Sequence, residues 1–461
     1  MSRMSLGEVG STGLNRWGGY VGEEFITQLQ WPWAAKVYKE MADNDPTIGA
    51  VIYMSEQLIR KAGWTVEAVG ETRADEEAKD FLESCMNDMS MSWSNVISEI
   101  LSMFTYGWSW HETLYKIRRG PEESNPKYRS KYSDGRIGWR KMPIRSQHTL
   151  LQWVYDDEED NLLAMEQLAP PLYKRAVIPL NKSLLFRTKI SRDNPEGRSL
   201  LRNAYRPWYF KKRIEEIEGI GIERDLAGLP LLKPPENLDI WDADNPDSVR
   251  LLAQSTSLVK SVRRDQQEGL VIPFGWEFKL LSTGGIRQFN TNEIINRYDQ
   301  RIAITVLADI VMLGADKVGS FALADVKKSL LAASLEAQIQ NIAEVFNKYA
   351  VPRLFRYNYF PGIKDYPRIV PGEVEVPGLK DLGDFLRATG MSITDDLPLT
   401  NYLRQIASMP LKREKDFKAE QRRAKAAAAE QARLTQEALD AKSKDKKIDP
   451  GKEVDPDKEV V

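Results

Sequence analysis

The chain has 461 residues, more than one ordinary hydrophobic core contains, so we expect two or more domains or an elongated subunit. Its 65 basic and 67 acidic residues nearly cancel, whereas a conventional domain that grips duplex nucleic acid is basic. Any contact with nucleic acid should therefore be local and weak. No run of about 18 apolar residues occurs, so we expect no membrane-spanning helix, and the polar N-terminus predicts no secretory signal.

Cysteine and histidine chemistry has little support in the sequence. The single cysteine, Cys85, excludes an intrachain disulfide and a cysteine-cluster zinc site. It falls on the apolar side of a helical pattern, where we expect a buried thiol. His111 and His148 lie in strand-like stretches without an acidic or cysteine neighbour at metal-site or catalytic-pair spacing. We therefore expect structural histidines, no metal and no cofactor.

The N-terminal third begins with a Gly- and Ser-rich arm over 1–30. The first clear helix is expected at Asp45–Lys61, because Asp45 can cap it, Pro46 occupies its first position and Gly63 follows its end. The next expected elements are a strand from Trp64 and helices around 73–89 and 94–105.

From Gly107 to Ile190 the pattern changes to β. We predict strands in WSWHETLYKI, RIGWRKM, TLLQWVYD, LLAMEQL and SLLFRTKI. The acidic tip DDEEDN lies between two of them and predicts a hairpin turn. Helices followed by a run of strands, without βαβ alternation, indicate an α+β body.

The second half opens with a helical segment from Ser199 to Leu226, in which Pro207 should kink the helix or separate its first turns. A Pro- and Gly-punctuated region then covers 228–288. It carries GLPLLKPP, a short helix expected near 246–266, and an expected strand pair, GLVIPF and WEFKLL.

A second long helix is expected over 290–311. Asn290 can cap it, Glu293 stands at the capping-box position, and Arg297 is spaced to pair with Glu293. The elements expected after it are a long helix at Phe321–Tyr349 that stops before Pro352, a strand-rich PRLFRYNYF, short helices at 379–389 and 399–408, and an Ala- and charge-rich tail from Leu411 that can be helical but cannot bury a core.

The stretch LGADKVGS (313–320) nearly matches a phosphate-binding loop. Its lysine, Lys317, lies inside the loop, and Ser320 stands where the motif requires lysine. The apolar run AITVLADIVML before it has helical spacing, whereas a phosphate-binding loop requires a strand there. An ATP-using nucleic-acid enzyme built on this loop is therefore the weaker alternative.

Five stretches of the sequence together resemble one protein family. Each stretch alone would be a weak indication, but their order and spacing make the resemblance strong. The stretches are DNDPTIGAVIYMSEQLIRKAGWTVEA (43–68), YGWSWHETLY (106–115), IPLNKSLLFRTKISRDNPEGRSLLRNAYRPW (178–208), ERDLAGLP (223–230) and GLVIPFGWEFKLL (269–281). Over roughly 40–410 the chain resembles the portal proteins of tailed double-stranded DNA bacteriophages.

The resemblance implies the portal fold and a division of the chain. The parts are an N-terminal arm (1–40), an α+β wing (41–197), a first stem helix (198–227), a clip (228–288), a second stem helix (289–312), a tunnel loop (313–320), a long wing or crown helix (321–350), a C-terminal wing or crown segment (351–410) and a charged, helical to disordered tail (411–461).

The resemblance also implies a function without catalysis. The subunit would form a ring, typically a dodecamer, with a channel for double-stranded DNA at one capsid vertex, through which the genome is packaged and ejected. Its implied partners are the terminase large subunit, head-completion or adaptor proteins, and the major capsid and scaffolding proteins, with no membrane. It would be located in the virion after synthesis in the bacterial cytoplasm. Another capsid structural protein, with the tail as a capsid- or scaffold-binding segment, is a further alternative.

The tunnel loop is the first candidate contact with DNA. Its residues are Gly314, Ala315, Asp316, Lys317, Val318 and Gly319. A ring repeats Lys317 around the channel, where duplex DNA presents about one negative charge per 1.7 Å of axis. The glycines let the loop bend, while Asp316 weakens the local field. The alternative is an exposed turn lysine without a role.

Other basic residues are weaker candidates. Possible channel residues are Lys211, Lys212 and Arg213 on the first stem helix and Arg297 and Arg301 on the second; Lys260, Arg263 and Arg264 in the clip could contact the motor or DNA. Acidic residues such as Glu215, Glu216 and Asp299 interleave with the stem cations. A solvated or inter-subunit salt-bridge role is therefore at least equally supported for them.

Overall fold

The computed structural model describes residues 10–156, 161–227, 229–261, 271–281, 290–305 and 321–374, with individual residues between 397 and 433. The chain divides into two compact units, Met1–Val374 and Glu375–Val461. The tunnel loop and the expected helix at 379–389 lie outside the described residues. In the second unit residues 415–423 are helical, in agreement with the helical potential of the tail.

The described part of the N-terminal arm contains a hairpin that packs on the body. Strands β1 (Arg16–Trp17) and β2 (Tyr20–Val21) pair antiparallel, and the Trp153 amide donates to the Gly19 carbonyl at 2.9 Å. The Arg202 guanidinium forms an ion pair with the Glu24 carboxylate. The described part of the arm is therefore attached to the body.

The first helices confirm one sequence prediction and correct another. Helix α2 (Pro46–Lys61) has the expected cap, because the Ile48 amide donates to Asp45 Oδ1 at 3.0 Å, and Gly63 follows with φ +73°. It is not the first helix, since α1 (Trp33–Asn44) precedes it. No side chain caps α1, so it lacks the start signal from which α2 was predicted.

Helices and antiparallel sheets alternate in blocks, which confirms the α+β class. After β3 (Trp64–Glu67) come α3 (Arg73–Asn87), α4 (Trp93–Ile100), α5 (Ser102–Tyr106), β4 (Trp108–Glu112), β5 (Leu114–Ile117), β6 (Ile137–Lys141), β7 (Ile144–Arg145), β8 (Leu150–Tyr155), β9 (Leu162–Ala169), β10 (Lys174–Pro179) and β11 (Ser183–Arg187). The expected helix at 94–105 is thus two helices. The sheets are β11-β4-β7, β5-β6 and the meander β8-β9-β10, whose β8–β9 pairing confirms the predicted hairpin.

The central strand β4 is buried on both faces. Trp108 and Trp110 pack with Trp153 on one side, whereas Phe186 of the paired strand β11 packs in a second core with Phe104 and other apolar residues. His111 is also buried, its Nδ1 lies 2.9 Å from the Met142 carbonyl oxygen, and burial lowers its pKa to about 4. Its role is structural, as expected.

The region around the two predicted stem helices contains a small insert. After a short turn at Leu200–Arg202 the elements are α6 (Tyr205–Ala227), β12 (Leu229–Lys233), α7 (Pro246–Ser261), β13 (Glu277–Leu281) and α8 (Thr291–Thr305). Pro207 lies in the first turn of α6, and the preceding turn is separate from the helix, which is one of the two predicted outcomes. The expected strand pairing is wrong, because β13 pairs with β12 and the described residues of GLVIPF are not a strand.

The last elements of the first unit correct a boundary. Helix α9 (Phe321–Val345) continues through a π-helical turn (Phe346–Ala350) into α10 (Val351–Arg356), and β14 (Arg368–Pro371) then pairs with β3. The helical path does not stop before Pro352, and PRLFRYNYF begins as helix rather than strand. Pro352 directly follows the π-helical turn, where the regular α-helical hydrogen-bond pattern is interrupted.

Gly107 allows α5 to turn directly into β4, and its substitution provides a test of the body. Gly107 has φ +92°, and a Cβ there would lie 2.5 Å from the Glu196 carbonyl oxygen. We expect Gly107→Ala to lower the free energy of unfolding by about 3 kcal/mol, since left-handed strain adds to a backbone clash. Urea unfolding followed by near-UV circular dichroism measures this.

Gly135→Ala is the matched control for that substitution. Gly135 has φ +70°, but no atom lies within 4 Å of its added Cβ. Only conformational strain applies, so the expected loss is about 1 kcal/mol. Equal losses for the two variants would contradict the packing assigned to Gly107.

Candidate functional site

The two helices α6 and α8 lie antiparallel against each other. Lys211 of α6 meets Asp299 of α8, while Glu218, two turns further along α6, accepts a hydrogen bond from Thr291 at the start of α8. Phe210 and Tyr298 stack at 6.4 Å with nearly parallel rings. Asn290 caps α8 as predicted, with its Oδ1 3.4 Å from the Glu293 amide.

Lys211 forms a buried ionic node that joins this helix pair to the body. Its Nζ lies 2.6 Å from Asp299 Oδ1 and 2.9 Å from Asp45 Oδ2, and Thr47 donates to Asp299 at 2.7 Å. The residue is only 3% exposed. Helices α2, α6 and α8 therefore meet at one ammonium group. The expected channel position of Lys211 is wrong for this reason, since a buried and doubly paired amine cannot face a channel.

The charge state of Lys211 is held by its partners. Burial alone would lower its pKa, but the hydrogen bonds to Asp299 and Asp45 outweigh burial and raise the pKa above 10.5. Lysine in the unfolded chain titrates near 10.5. The stabilisation that comes from the protonation of Lys211 is thus complete below pH 10.5. It is lost as the pH rises through the higher pKa of Lys211 in the folded state.

The other basic residues predicted on α6 form ion pairs within the chain. Lys212 forms an ion pair with Glu40, and its ammonium lies 5.6 Å from the centre of the Trp208 ring. Arg213 is exposed and pairs with Glu216 at 3.2 Å. Both remain at the surface, but each has a partner.

Arg297 and Arg301 of α8 have a different setting. Both are exposed, and their guanidinium carbons lie 5.5 and 5.9 Å from the centre of the Tyr298 ring. The expected pair between Glu293 and Arg297 is not formed. Within the part of the chain that the structure describes, neither arginine makes an ion pair.

Arg206 joins these two arginines and was missed from the sequence. It is exposed and lies 5.9 Å from the Phe210 ring, which stacks on Tyr298. The spacing of Arg206 and Phe210, four residues apart on a helix, was the available signal. It could not show that a second aromatic ring from a helix 88 residues away would complete the group.

Of the remaining residues predicted to contact DNA or the motor, only Lys260 is among the described residues. Lys260 is exposed in the last turn of α7. Arg263, Arg264 and the tunnel loop 314–319 lie outside the described residues. Ala303–Thr305, the described start of the apolar run before the loop, are helical, which favours the helical interpretation over the strand of a phosphate-binding loop.

Among the described residues, no group of histidine, cysteine or carboxylate side chains is arranged to hold a metal ion. In the same part of the chain, no helix combines the length and apolarity that a membrane span requires.

The first unit is thus an α+β body that carries an antiparallel helix pair, with a small helix-and-strand insert between the two helices. The family described as the portal protein of Mu bacteriophage matches residues 35–394. The chain belongs to this family, and its role is that of a portal connector.

Comparison with curated protein sequences gives no match. Among solved structures, a chain from the neck of an empty GTA particle has 9% identity and a TM-score of 0.49, with 82% of this chain and 94% of that chain covered. A chain from the neck of a native GTA particle has 10% identity and a TM-score of 0.48, covering 87% and 97%. An HK97-family phage portal protein from Corynebacterium diphtheriae has 11% identity and a TM-score of 0.38, covering 72% and 95%.

The buried node can be tested by removing its cation. We expect Lys211→Met to lower the free energy of unfolding by about 3–5 kcal/mol, because Asp45 and Asp299 would be left without their buried partner. The exposed neighbour provides the control: Lys212→Met should cost less than about 1 kcal/mol. Urea unfolding below pH 9 measures both, and a similar small loss for the two variants would show that the node does not hold the helices.

Proposed function

We propose that the chain assembles head to tail into a closed ring, as a dodecamer, and that this ring is the portal at one vertex of a viral capsid. The family match over 35–394 carries the proposal. Exposed apolar side chains support it, since Ile217 and Ile220 of α6 are 68% and 50% exposed. Side chains of this kind at successive turns of one helix are typical of a surface that another subunit covers.

The central channel of the ring would conduct double-stranded DNA during packaging and ejection. Lys317 would present one positive charge per subunit at the narrowest point, between two glycines that allow the loop to follow the duplex. Only the sequence supports this part of the proposal. A single cation per subunit suits transport, because each further neutralised phosphate would add affinity that opposes movement.

The insert between α6 and α8 is the proposed clip, which would dock the terminase large subunit and later the head-completion or adaptor proteins. Large apolar side chains exposed on it support a docking role: Trp241 is 76% exposed, Val271 is 94% exposed and Phe274 is fully exposed. The packaging motor would supply the energy, and the portal would perform no chemistry itself. Contacts with the major capsid and scaffolding proteins would fix the ring in the virion after synthesis in the bacterial cytoplasm.

Native mass spectrometry of the purified full-length chain tests the assembly. We expect a dominant closed oligomer near twelve subunits, since a head-to-tail interface repeats until the ring closes. A chain that remains monomeric or dimeric across salt and protein concentrations would contradict the proposal.

The tunnel loop is tested by Lys317→Ala in a packaging reaction. We expect normal rings but an altered rate of packaging or altered retention of DNA, with a weaker dependence on salt, because one ring of charge is removed. Lys127→Ala, which removes an exposed lysine of the body, is the control. Packaging that equals wild type at every salt concentration would remove Lys317 from the mechanism.

A further inference from the structure

Five side chains form a continuous surface across the helix pair. We call it the arginine–aromatic surface: Arg206 and Phe210 of α6 with Arg297, Tyr298 and Arg301 of α8. The two rings stack on each other, and each guanidinium carbon lies 5.5–5.9 Å from a ring centre. Stacking fixes the three guanidinium groups while their N–H edges stay free to bind an anionic partner.

The charge of this surface is not compensated within the described chain. No ion pair with a described carboxylate involves any of the three arginines, whereas Lys211, Lys212 and Arg213 of α6 all have one. The surface therefore concentrates three positive charges around two rings.

The residues around this surface indicate a protein partner rather than DNA. Tyr209, Phe210, Ile217 and Ile304 are between 40% and 68% exposed. Arginine, tyrosine and phenylalanine beside aliphatic side chains are the composition of protein–protein contacts. The phosphate backbone of a duplex could bind the arginines but would leave the apolar side chains in water.

A half-exposed carboxylate, that of Glu215, lies on the opposite side of α6 from Arg206. Lys211 is paired with three carboxylates, those of Asp45, Asp299 and Glu215. Glu215 is the most distant of them, at 3.9 Å, and its side chain is 49% exposed. Burial and the neighbouring carboxylates raise the pKa of Glu215, as expected for an incompletely compensated acid. Arg206 and Glu215 are nine residues apart, about two and a half helical turns, so they point to opposite sides of α6.

We propose that the arginine–aromatic surface of one subunit binds the Glu215 face of the next subunit in the ring. The first surface spans α6 and α8, whereas Glu215 points to the other side of α6 from Arg206. Two different, complementary surfaces on one subunit form a head-to-tail contact, which each added copy repeats. Attraction between opposite charges would orient the copies, while the rings and isoleucines would supply the buried area. This inference rests on the proposed ring and names the contact that builds it.

Charge reversal tests the contact. We expect the double variant R297E/R301E to reduce the fraction of rings about tenfold or more, because acidic groups would then face Glu215. R119E/R175E is the matched control, since it reverses two exposed arginines of the body and should assemble as wild type. Ring yield is measured by native mass spectrometry, and circular dichroism confirms folding.

A mixing experiment separates a contact from a folding defect. E215R alone should also fail to form rings, but an equimolar mixture of E215R with R297E/R301E should restore them. In an alternating ring, each reversed surface meets a complementary one, so every contact again joins opposite charges. Rings that contain both variants in equal numbers would support the proposal.

Several outcomes would overturn it. Wild-type yields from R297E/R301E alone would remove the arginines from the contact, and if DNA binding were lost in those rings, the surface would face DNA. Failure of the mixture to restore assembly would show that Glu215 is not the partner. In each case wild-type rings would still support the proposed function, whereas a monomeric wild-type chain would contradict both.

Discussion

A single buried ammonium group, that of Lys211, sets the geometry with which the α6–α8 helix pair meets the body. It is bound by Asp45 from the start of α2 and by Asp299 from α8, so three helices from distant parts of the sequence converge on one charge. Such a cluster contributes little net stability compared with apolar packing, but its strict geometry can specify one arrangement. Here that arrangement fixes the helix pair against the body.

The body and the helix pair are stabilised in different ways. The body has aromatic cores on both sides of β4, whereas the described parts of α6 and α8 are joined by a ring stack, polar contacts, the node and a smaller apolar cluster in which Trp208 and Ile302 pack with residues of α1 and α2. Much of the apolar surface of α6 remains exposed. This division suits a subunit that folds around its body and completes its helix pair only by assembly, since the exposed strip gains its packing partner from the next copy.

The sequence predicted the features that depend on local signals. The caps at Asp45 and Asn290, the stop at Gly63 and the separated turn before α6 all follow from residues within a few positions. The continuation of the helix through Pro352 was missed, because it depends on a π-helical turn that has no local signal. The partner of β13 was also missed, since β12 lies in a Pro-rich stretch and is separated from β13 by a helix.

The candidate site shows even more clearly that contacts between distant parts of the chain cannot be predicted from local sequence signals. The sequence identified Lys211, Arg297 and Arg301 as a set of basic stem residues, yet only tertiary contacts distinguish the buried lysine from the two uncompensated arginines.

A cryo-EM map of the purified assembly tests the central claim most directly. The account predicts a closed ring in which α6 and α8 surround a central channel, with the arginine–aromatic surface against Glu215 of the adjacent subunit. A map without a closed ring, or with these helices on its outer perimeter, would contradict it.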